Sequence, residues 1–163
     1  MTGATKIITP DRRNLIEDFL LDCAHDLDDD RLEAWPGYFT DDAVYRILPR
    51  ESHERNLPLG VLFCEGRGMM GDRIEALRTA NIYEPHTYCH VLGPTRLWAG
   101  QGETYTARTN FTVIRTKQDG AMDVYAAGNY IDEIVFEGEA PLIRDRQVIL
   151  DSRRIDILLV VPL

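Results

Sequence analysis

The amino-acid sequence predicts an α+β fold in which about three N-terminal helices pack on a curved, cone-shaped antiparallel or mixed β-sheet. Apolar residues recur at helical spacing in the first half of the chain, whereas the second half alternates with a period of two. The length of 163 residues suits one hydrophobic core, and no Gly/Ser/Pro-rich linker divides the chain. Residues 1–163 are therefore predicted to form a single domain.

Three segments carry the helical spacing. In Pro10–Asp28 the apolar side chains fall on one face, and a cluster of aspartates ends the predicted helix. A shorter second helix is predicted around Trp35, with an interruption at Pro36. Residues 68–80 predict the third helix, whereas the charged segment 50–58 predicts an exposed loop.

The strands are predicted from alternating apolar and polar side chains bounded by turn residues. The alternation is clearest in residues 104–113, and glycine-containing turns are predicted at 100–102 and 118–120. Because short turns join neighbouring strands, antiparallel hairpins are expected. The predicted strands span residues 43–48, 60–64, 104–113, 124–136, 143–151 and 155–161.

Composition and charge exclude several classes of function. The formal net charge is -9 and the pI about 4.9, so the chain is expected to bind neither nucleic acid nor anionic membrane surfaces. The most apolar run, residues 155–163, is far shorter than the roughly 20 apolar residues that cross a bilayer. Residues 1–9 lack the apolar core of a signal peptide, so a cytoplasmic location is expected.

The cysteines do not complete a known metal signature. Cys23 and His25 match one half of a Rieske iron–sulfur motif, but the C-x-x-H half is missing. Cys23 also lies on the apolar face of the first predicted helix. We therefore predict that Cys23, Cys64 and Cys89 are buried free thiols and that no disulfide forms.

Histidines and aspartates also fail to define a metal site. His86 and His90 are four residues apart, but Pro85 and the alternation that follows place them on a strand, too far apart to share a metal ion. The aspartates at 28–30 lack the glycine and the spaced acceptors of a calcium loop, and they are predicted to cap a helix end. No metal site is predicted in this chain.

A cone-shaped sheet commonly encloses a pocket, and the chain contains residues that could perform acid–base chemistry there. A stand-alone dehydratase or isomerase would use Asp26, Tyr45, His86, Tyr88 and His90. Buried, hydrogen-bonded structural residues are the competing and favoured interpretation, because Tyr and His are commonly of intermediate burial. A non-enzymatic homodimer that binds a small molecule is a third hypothesis.

Residues 27–45 read LDDDRLEAWPGYFTDDAVY, in which an acidic helix end and a tryptophan precede Phe-Thr-Asp-Asp and a strand. This segment resembles the opening of the nuclear-transport-factor-2-like superfamily, which has a cystatin-like fold. The resemblance implies the cone-shaped sheet. The superfamily holds dehydratases, isomerases, transport factors and dioxygenase small subunits, so the resemblance specifies fold better than function.

A second resemblance is carried by residues 72–93 and by the sequence Gly-Asn-Tyr-Ile-Asp at 128–132. These segments are similar to small (β) subunits of Rieske non-haem iron aromatic-ring-hydroxylating dioxygenases. The similarity is greatest to the small subunits of the dioxygenases that act on terephthalate, salicylate and anthranilate. The resemblance implies a chain with no catalytic residue and no cofactor of its own.

The same resemblance implies a partner. Such a chain would stabilise a catalytic large (α) subunit, which carries the Rieske iron–sulfur cluster and the mononuclear iron. The small subunits would form a trimer within a heterohexamer, and the complex would degrade an aromatic, carboxylated compound.

The C-terminal segment and the outer face of the sheet are the predicted contact surfaces between subunits. The segment is apolar without alternation, so both faces of a terminal strand need to be covered. One face can pack on the chain's own helices, whereas the other would face a second chain. The predicted interface residues are Ile155, Ile157, Leu158, Leu159, Val160 and Val161.

Overall fold

A computed structural model describes residues 6–58, 60–79, 83–152 and 161–163. Helices come first along the chain and the long strands follow. The helices are α1 (Pro10–Asp28), a 3₁₀ helix (Leu32–Tyr38), α2 (Arg50–Glu54) and α3 (Gly66–Thr79). The strands are β1 (Phe39–Pro49), β2 (Leu62–Glu65), β3 (His86–Leu92), β4 (Arg96–Ala99), β5 (Thr104–Lys117), β6 (Met122–Glu137) and β7 (Ala140–Leu150).

The described strands form one seven-stranded open sheet in the order β2-β1-β7-β6-β5-β3, with β4 also paired to β5. Strands β1 and β7 are parallel, whereas the other pairs are antiparallel. The helices pack on one face of this mixed sheet. The predicted α+β fold is confirmed, while the strand predicted at 155–161 lies largely outside the described residues.

Helix α1 forms because the sequence supplies a cap, a suitable first turn and an apolar face. The side chain of Thr9 accepts a hydrogen bond from the backbone N–H of Arg12 at 3.3 Å, and Pro10 begins the helix, where its missing N–H is tolerated. The predicted helix bounds are confirmed. The buried face consists of Ile16, Leu20, Cys23, Ala24 and Leu27.

Two local predictions are wrong. The segment 50–58 begins with the short helix α2 and not with a loop, because Pro49 adopts the extended conformation of an N-cap and Glu51 pairs with Arg55 across one turn. Cys89 is exposed because it lies on the outer face of β3, opposite the core. Cys23 and Cys64 are buried free thiols, as predicted.

An aromatic cluster joins the 3₁₀ helix to β1 at the centre of the core. The rings of Trp35, Phe39 and Tyr45 are fully buried and meet edge to face, with centroids 4.9–6.0 Å apart. The Tyr45 hydroxyl donates to the carbonyl oxygen of Leu163 at 2.9 Å and accepts from the N–H of the same residue at 3.0 Å. These bonds satisfy the buried hydroxyl within the core.

None of the helices in the described ranges is both long and apolar enough to span a bilayer.

Gly128 on β6 leaves no room for a side chain beside β7. A Cβ atom at this position would lie 1.9 Å from the carbonyl oxygen of Ile149, a backbone atom that cannot move independently of the strand. Only glycine fits here, because every other residue carries that atom. By contrast, a Cβ atom on Gly37 in the 3₁₀ helix would meet nothing within 4 Å.

We expect Gly128→Ala to destabilise the fold by roughly 3 kcal/mol, the upper end of the cost of an overpacked core. This corresponds to a fall in Tm of about 6–12 °C for a domain of this size. Gly37→Ala is the matched control and should change the free energy of unfolding by less than about 0.5 kcal/mol. Equal Tm values for the two variants in thermal denaturation would contradict the close approach of the strands.

Candidate functional site

Two spaces lie between α1 and the inner face of the sheet. The larger, here called the helix-end cavity, has a volume of about 340 Å³ and opens near the C-terminal end of α1. The smaller, here called the inner void, has only about 10 Å³ and lies deeper. The described residues that line the helix-end cavity are Leu27, Asp28, Asp30, Tyr83, Pro85, His86, Thr87, Tyr88 and Val161.

Asp28 and His90 form a pair at the wall between α1 and β3. The Asp28 carboxylate accepts the backbone N–H of His90 at 2.9 Å and lies 2.6 Å from Nδ1 of the same ring. Nε2 of His90 is buried and has no hydrogen-bond partner among the described residues, so a proton there would be an unsatisfied donor. The Asp28 carboxylate therefore faces Nδ1 of His90 and fixes the orientation of the ring between α1 and β3.

His86 has the same arrangement at the start of β3. Its Nδ1 lies 2.8 Å from the carbonyl oxygen of Glu84, which can only accept, so Nδ1 carries the proton. Nε2 of His86 is also buried without a partner among the described residues. The ring centroid lies 4.9 Å from that of Tyr88, whose ring stacks on Tyr125.

The inner void is bounded by a buried ion pair between neighbouring strands. Nε and Nη2 of Arg146 on β7 donate to the two carboxylate oxygens of Asp132 on β6 at 2.7 and 3.0 Å, and the two side chains are 4% and 1% exposed. The guanidinium also lies 4.6 Å from the centre of the Tyr130 ring, and Nη1 is 3.8 Å from Sγ of Cys23.

Burial and pairing act in opposite directions on these groups. Burial raises the pKa of Asp132 above its ordinary value, and the positive charge of Arg146 opposes that rise. Burial also raises the pKa of the Cys23 thiol to about 11, so this thiol is protonated at neutral pH. A protonated thiol beside a guanidinium is unsuited to bind iron or zinc.

The structure separates the residues proposed for acid–base catalysis. His86 and Tyr88 line the helix-end cavity, and His90 follows them on the same face of β3. Tyr45 is buried elsewhere in the core and bonded to Leu163. Asp26 accepts the hydroxyl of Tyr38 at 2.6 Å and pairs with Arg31. Asp28, which takes a place at this cavity, was not among the predicted residues.

Asp29 is the C-cap residue of α1, and its backbone N–H donates to the carbonyl oxygen of His25 at 2.8 Å, but the predicted capping by carboxylates is wrong. A helix C-terminus presents carbonyl oxygens and a partial negative charge, so carboxylates there bind donors from other segments instead. Asp28 binds His90, Asp29 binds Arg31, and both carboxylate oxygens of Asp30 accept from Arg78 at 3.0 Å. These residues therefore tie α1 to β3 and to α3.

Metal-ligating side chains do not converge in the described part of the chain. No group of three or more His, Cys, Asp or Glu residues there has a geometry that could hold a metal ion. The cysteines do not fit a Rieske cluster either, since Cys23 lies in the core against Arg146 while Cys89 is exposed on the outer face of β3.

The predicted interface residues fall mostly outside the described ranges. Val161 is described, is partly buried and lines the helix-end cavity. Ile155, Ile157, Leu158, Leu159 and Val160 lie outside the described residues.

Comparison with known proteins assigns the chain to a family. The family model described as "Ring hydroxylating beta subunit" matches residues 23–157, which is most of the chain. The chain belongs to the ring hydroxylating beta subunit family. Membership confirms the resemblance found in the sequence.

Relatives within this family are similar over almost the whole chain. The small subunit of anthranilate 1,2-dioxygenase from Burkholderia cepacia is 35% identical over 96% of this chain and 98% of its own length. The first β subunit of the terminal oxygenase component of terephthalate 1,2-dioxygenase from Comamonas sp. is 36% identical over 86% of this chain and 91% of its own.

Solved structures agree with the family assignment. The β subunit assigned to an aromatic-ring-hydroxylating dioxygenase of Novosphingobium aromaticivorans superposes with a TM-score of 0.85 and 36% identity, covering 93% of this chain and 96% of that one. A protein assigned as a scytalone dehydratase from the same organism has a TM-score of 0.65 at 15% identity. The second likeness concerns the fold alone, and it agrees with the predicted α+β architecture.

We expect Arg146→Met to lower the free energy of unfolding by about 3–5 kcal/mol, because it leaves the buried Asp132 carboxylate without its partner. The double variant Asp132→Leu/Arg146→Met should lose less, because no charge then remains buried. Chemical denaturation followed by circular dichroism measures both values.

Arg144→Met is the control for this series. Arg144 lies two residues away and pairs with Glu133 at the surface, 2.9 Å from Nε to the carboxylate, so its loss should have an effect below about 1 kcal/mol. If the double variant Asp132→Leu/Arg146→Met is less stable than Arg146→Met, the unpaired Asp132 carboxylate is not the cause of the lost free energy of unfolding.

Proposed function

We propose that this chain is the small, structural subunit of an aromatic-ring-hydroxylating dioxygenase, and that it assembles with and stabilises a catalytic large subunit in the cytoplasm. The proposal extends to this chain what the names of its relatives say of them, namely that they are small subunits of anthranilate and terephthalate dioxygenases. The complex would act on an aromatic, carboxylated compound, as the names of those relatives describe for them.

The observation that carries the proposal is the filled interior of the fold. The inner void holds about 10 Å³, whereas small-molecule sites usually have about 300 Å³ or more, so the centre of the described fold does not admit an aromatic substrate. The Asp132–Arg146 pair and the side chains around it occupy the space in which a substrate would be enclosed. Packing of this kind supports a structural role.

The positions of the acid–base residues also favour this role over a stand-alone dehydratase or isomerase. General acid–base catalysis needs its groups within hydrogen-bond reach of one substrate. Tyr45 is bonded to Leu163 and Asp26 to Tyr38, so neither is directed to the cavity that His86 lines. The predicted set does not form one site.

Iron chemistry in the proposed complex belongs to the large subunit, which we propose carries a Rieske cluster and a mononuclear iron. In this chain the Cys and His residues do not fit such ligand sets, as the buried Cys23 and the strand positions of His86 and His90 indicate. The chain's contribution is then to fix the large subunits relative to one another, as a trimer within a heterohexamer.

Co-expression with a large subunit of an aromatic-ring-hydroxylating dioxygenase tests the proposal. We expect native mass spectrometry to detect a complex of both chains. Elemental analysis should find iron in that complex. The small chain purified alone should contain no stoichiometric iron or zinc and should not hydroxylate aromatic acids. Turnover of an enolisable substrate by the lone chain, lost in His86→Ala, would instead support the dehydratase or isomerase hypothesis.

We further propose that residues 155–161 and the outer face of the sheet contact neighbouring subunits. Truncation before this segment would also remove Leu163, whose backbone binds Tyr45, so it would disturb the core as well as the interface. Paired substitutions separate the two effects, because alternate residues of the strand that the sequence predicts for this segment would face opposite sides. One pair is Ile157→Ser with Leu159→Ser, and the other is Leu158→Ser with Val160→Ser.

We expect one pair to lower Tm, because it faces the core, and the other to weaken assembly in sedimentation velocity with little change in Tm. The set that weakens assembly identifies the face that meets another chain. If both pairs leave the sedimentation profile of the complex unchanged, the segment does not belong to the interface.

A further inference from the structure

The two edges of the sheet carry exposed side chains of complementary character. Strand β2 lies at one edge and pairs only with β1 among the described strands, whereas β4 lies along the opposite edge and pairs only with β5. A sheet edge presents unpaired backbone N–H and C=O groups, so an edge that also exposes apolar side chains favours contact with another chain.

Two arginines lie opposite each other on the outer face of the sheet at the β4 edge. Arg96 on β4 and Arg108 on β5 are direct cross-strand partners, and both are exposed. Neither side chain makes an ion pair or a hydrogen bond within the described ranges, although the chain has a net charge of -9. Like charges directly opposite each other destabilise a sheet. A carboxylate from a partner would relieve this repulsion.

An exposed tryptophan completes this surface, here called the arginine edge (Arg96, Trp98 and Arg108). Trp98 is 47% exposed, and the Arg96 guanidinium lies 5.9 Å from the centre of its ring. Trp and Arg are among the residues that most often dominate the binding energy of protein interfaces. Val91 on the neighbouring strand β3 adds another exposed apolar side chain.

The opposite edge supplies the complementary groups. Val61, just before β2, and Phe63 and Glu65 within it are alternate residues, so their side chains lie on the same outward side. Phe63 is 51% exposed, and the Glu65 carboxylate makes no ion pair with any residue that the structure describes. These three residues, here called the β2 strip, therefore offer apolar surface beside a negative charge.

Self-pairing of the arginine edge is unfavourable, because it would bring four guanidinium groups together. Contact between copies therefore joins two different surfaces, the head-to-tail arrangement that can close into a ring. We propose that the arginine edge of one copy of this chain binds the β2 strip of a second copy, with Glu65 placed against Arg96 and Arg108. The inference rests on the proposed function, because it specifies where the copies of the trimer meet.

Charge reversal at each surface tests the contact in the full-length chain by sedimentation velocity. We expect Arg108→Glu to weaken self-association by about tenfold or more, and Glu65→Arg to do the same, because each places like charges across the interface. The Tm of Arg108→Glu should not fall, because the new carboxylate lies opposite Arg96 of the same chain. A loss of association is then not a loss of folding.

Two matched controls change the net charge by the same amounts at other places. Lys117→Glu lies at the far end of β5, and Glu139→Arg lies in the exposed turn between β6 and β7. Both should leave self-association unchanged. If either control weakens association as much as the variant that it matches, net charge and not the proposed contact is the cause.

An equimolar mixture of Arg108→Glu and Glu65→Arg tests the head-to-tail arrangement. Each variant keeps one intact surface, so the mixture should associate at concentrations at which neither variant does so alone. The inference is overturned by a monomeric unaltered chain, by unchanged association in either variant, or by a mixture that associates no more strongly than its components.

Co-expression with the large subunit separates this inference from the proposed function. If the unaltered chain forms no complex with the large subunit, the proposed function fails, while sedimentation of the lone chain still decides the contact between copies. If Arg108→Glu loses the large subunit but keeps its self-association, the arginine edge binds the large subunit instead and the inference is wrong.

Discussion

The buried ion pair of Asp132 and Arg146 constrains how the inner face of the sheet can pack. Two charges removed from water must satisfy each other, and here both carboxylate oxygens and two guanidinium nitrogens do so. The two residues are direct cross-strand partners, so the pair is made only in the observed register of β6 and β7. A slip of one strand by one residue would turn its charge to the outer face and leave the other charge buried without a partner.

Contacts of Arg146 extend this constraint to other parts of the fold. Its guanidinium lies over the ring of Tyr130 and beside the thiol of Cys23, so α1 can pack only where it leaves room for the pair. Tyr45 is the partner of Arg146 in the parallel register of β1 and β7. The filled interior that argues for a structural role therefore follows from one polar interaction together with the apolar side chains around it.

Elements set by local patterns were predicted well from the sequence. The bounds of α1 follow from Thr9, Pro10 and one apolar face, all of which lie within or beside the helix. The long strands β5, β6 and β7 follow from alternation and glycine turns. The short helix α2 was missed because only five residues form it, which is too few for a periodic pattern to appear.

The candidate site was predicted less well, because it depends on contacts between distant segments. Residue type alone indicated His86, His90, Asp26 and Tyr45 as candidates. Only the fold shows that the Asp28 carboxylate binds His90, which is 62 residues away along the chain. The interior pair did leave a signal in the sequence. Asp132 alternates with the inward-facing Tyr130 and Ile134, and a charge in such a position requires a partner.

The parallel pairing of β1 with β7 has a consequence for the order in which the chain folds. Arg46 and Asp145 form an ion pair across these strands although 99 residues separate them. During synthesis β1 emerges early and can pair with β2, but its other edge stays open until β7 has been made. Pairings between such distant segments slow folding, and an open strand edge can pair with other chains. Until translation nears its end, the first half of the protein therefore exposes an unpaired strand edge that a chaperone can bind and protect from aggregation.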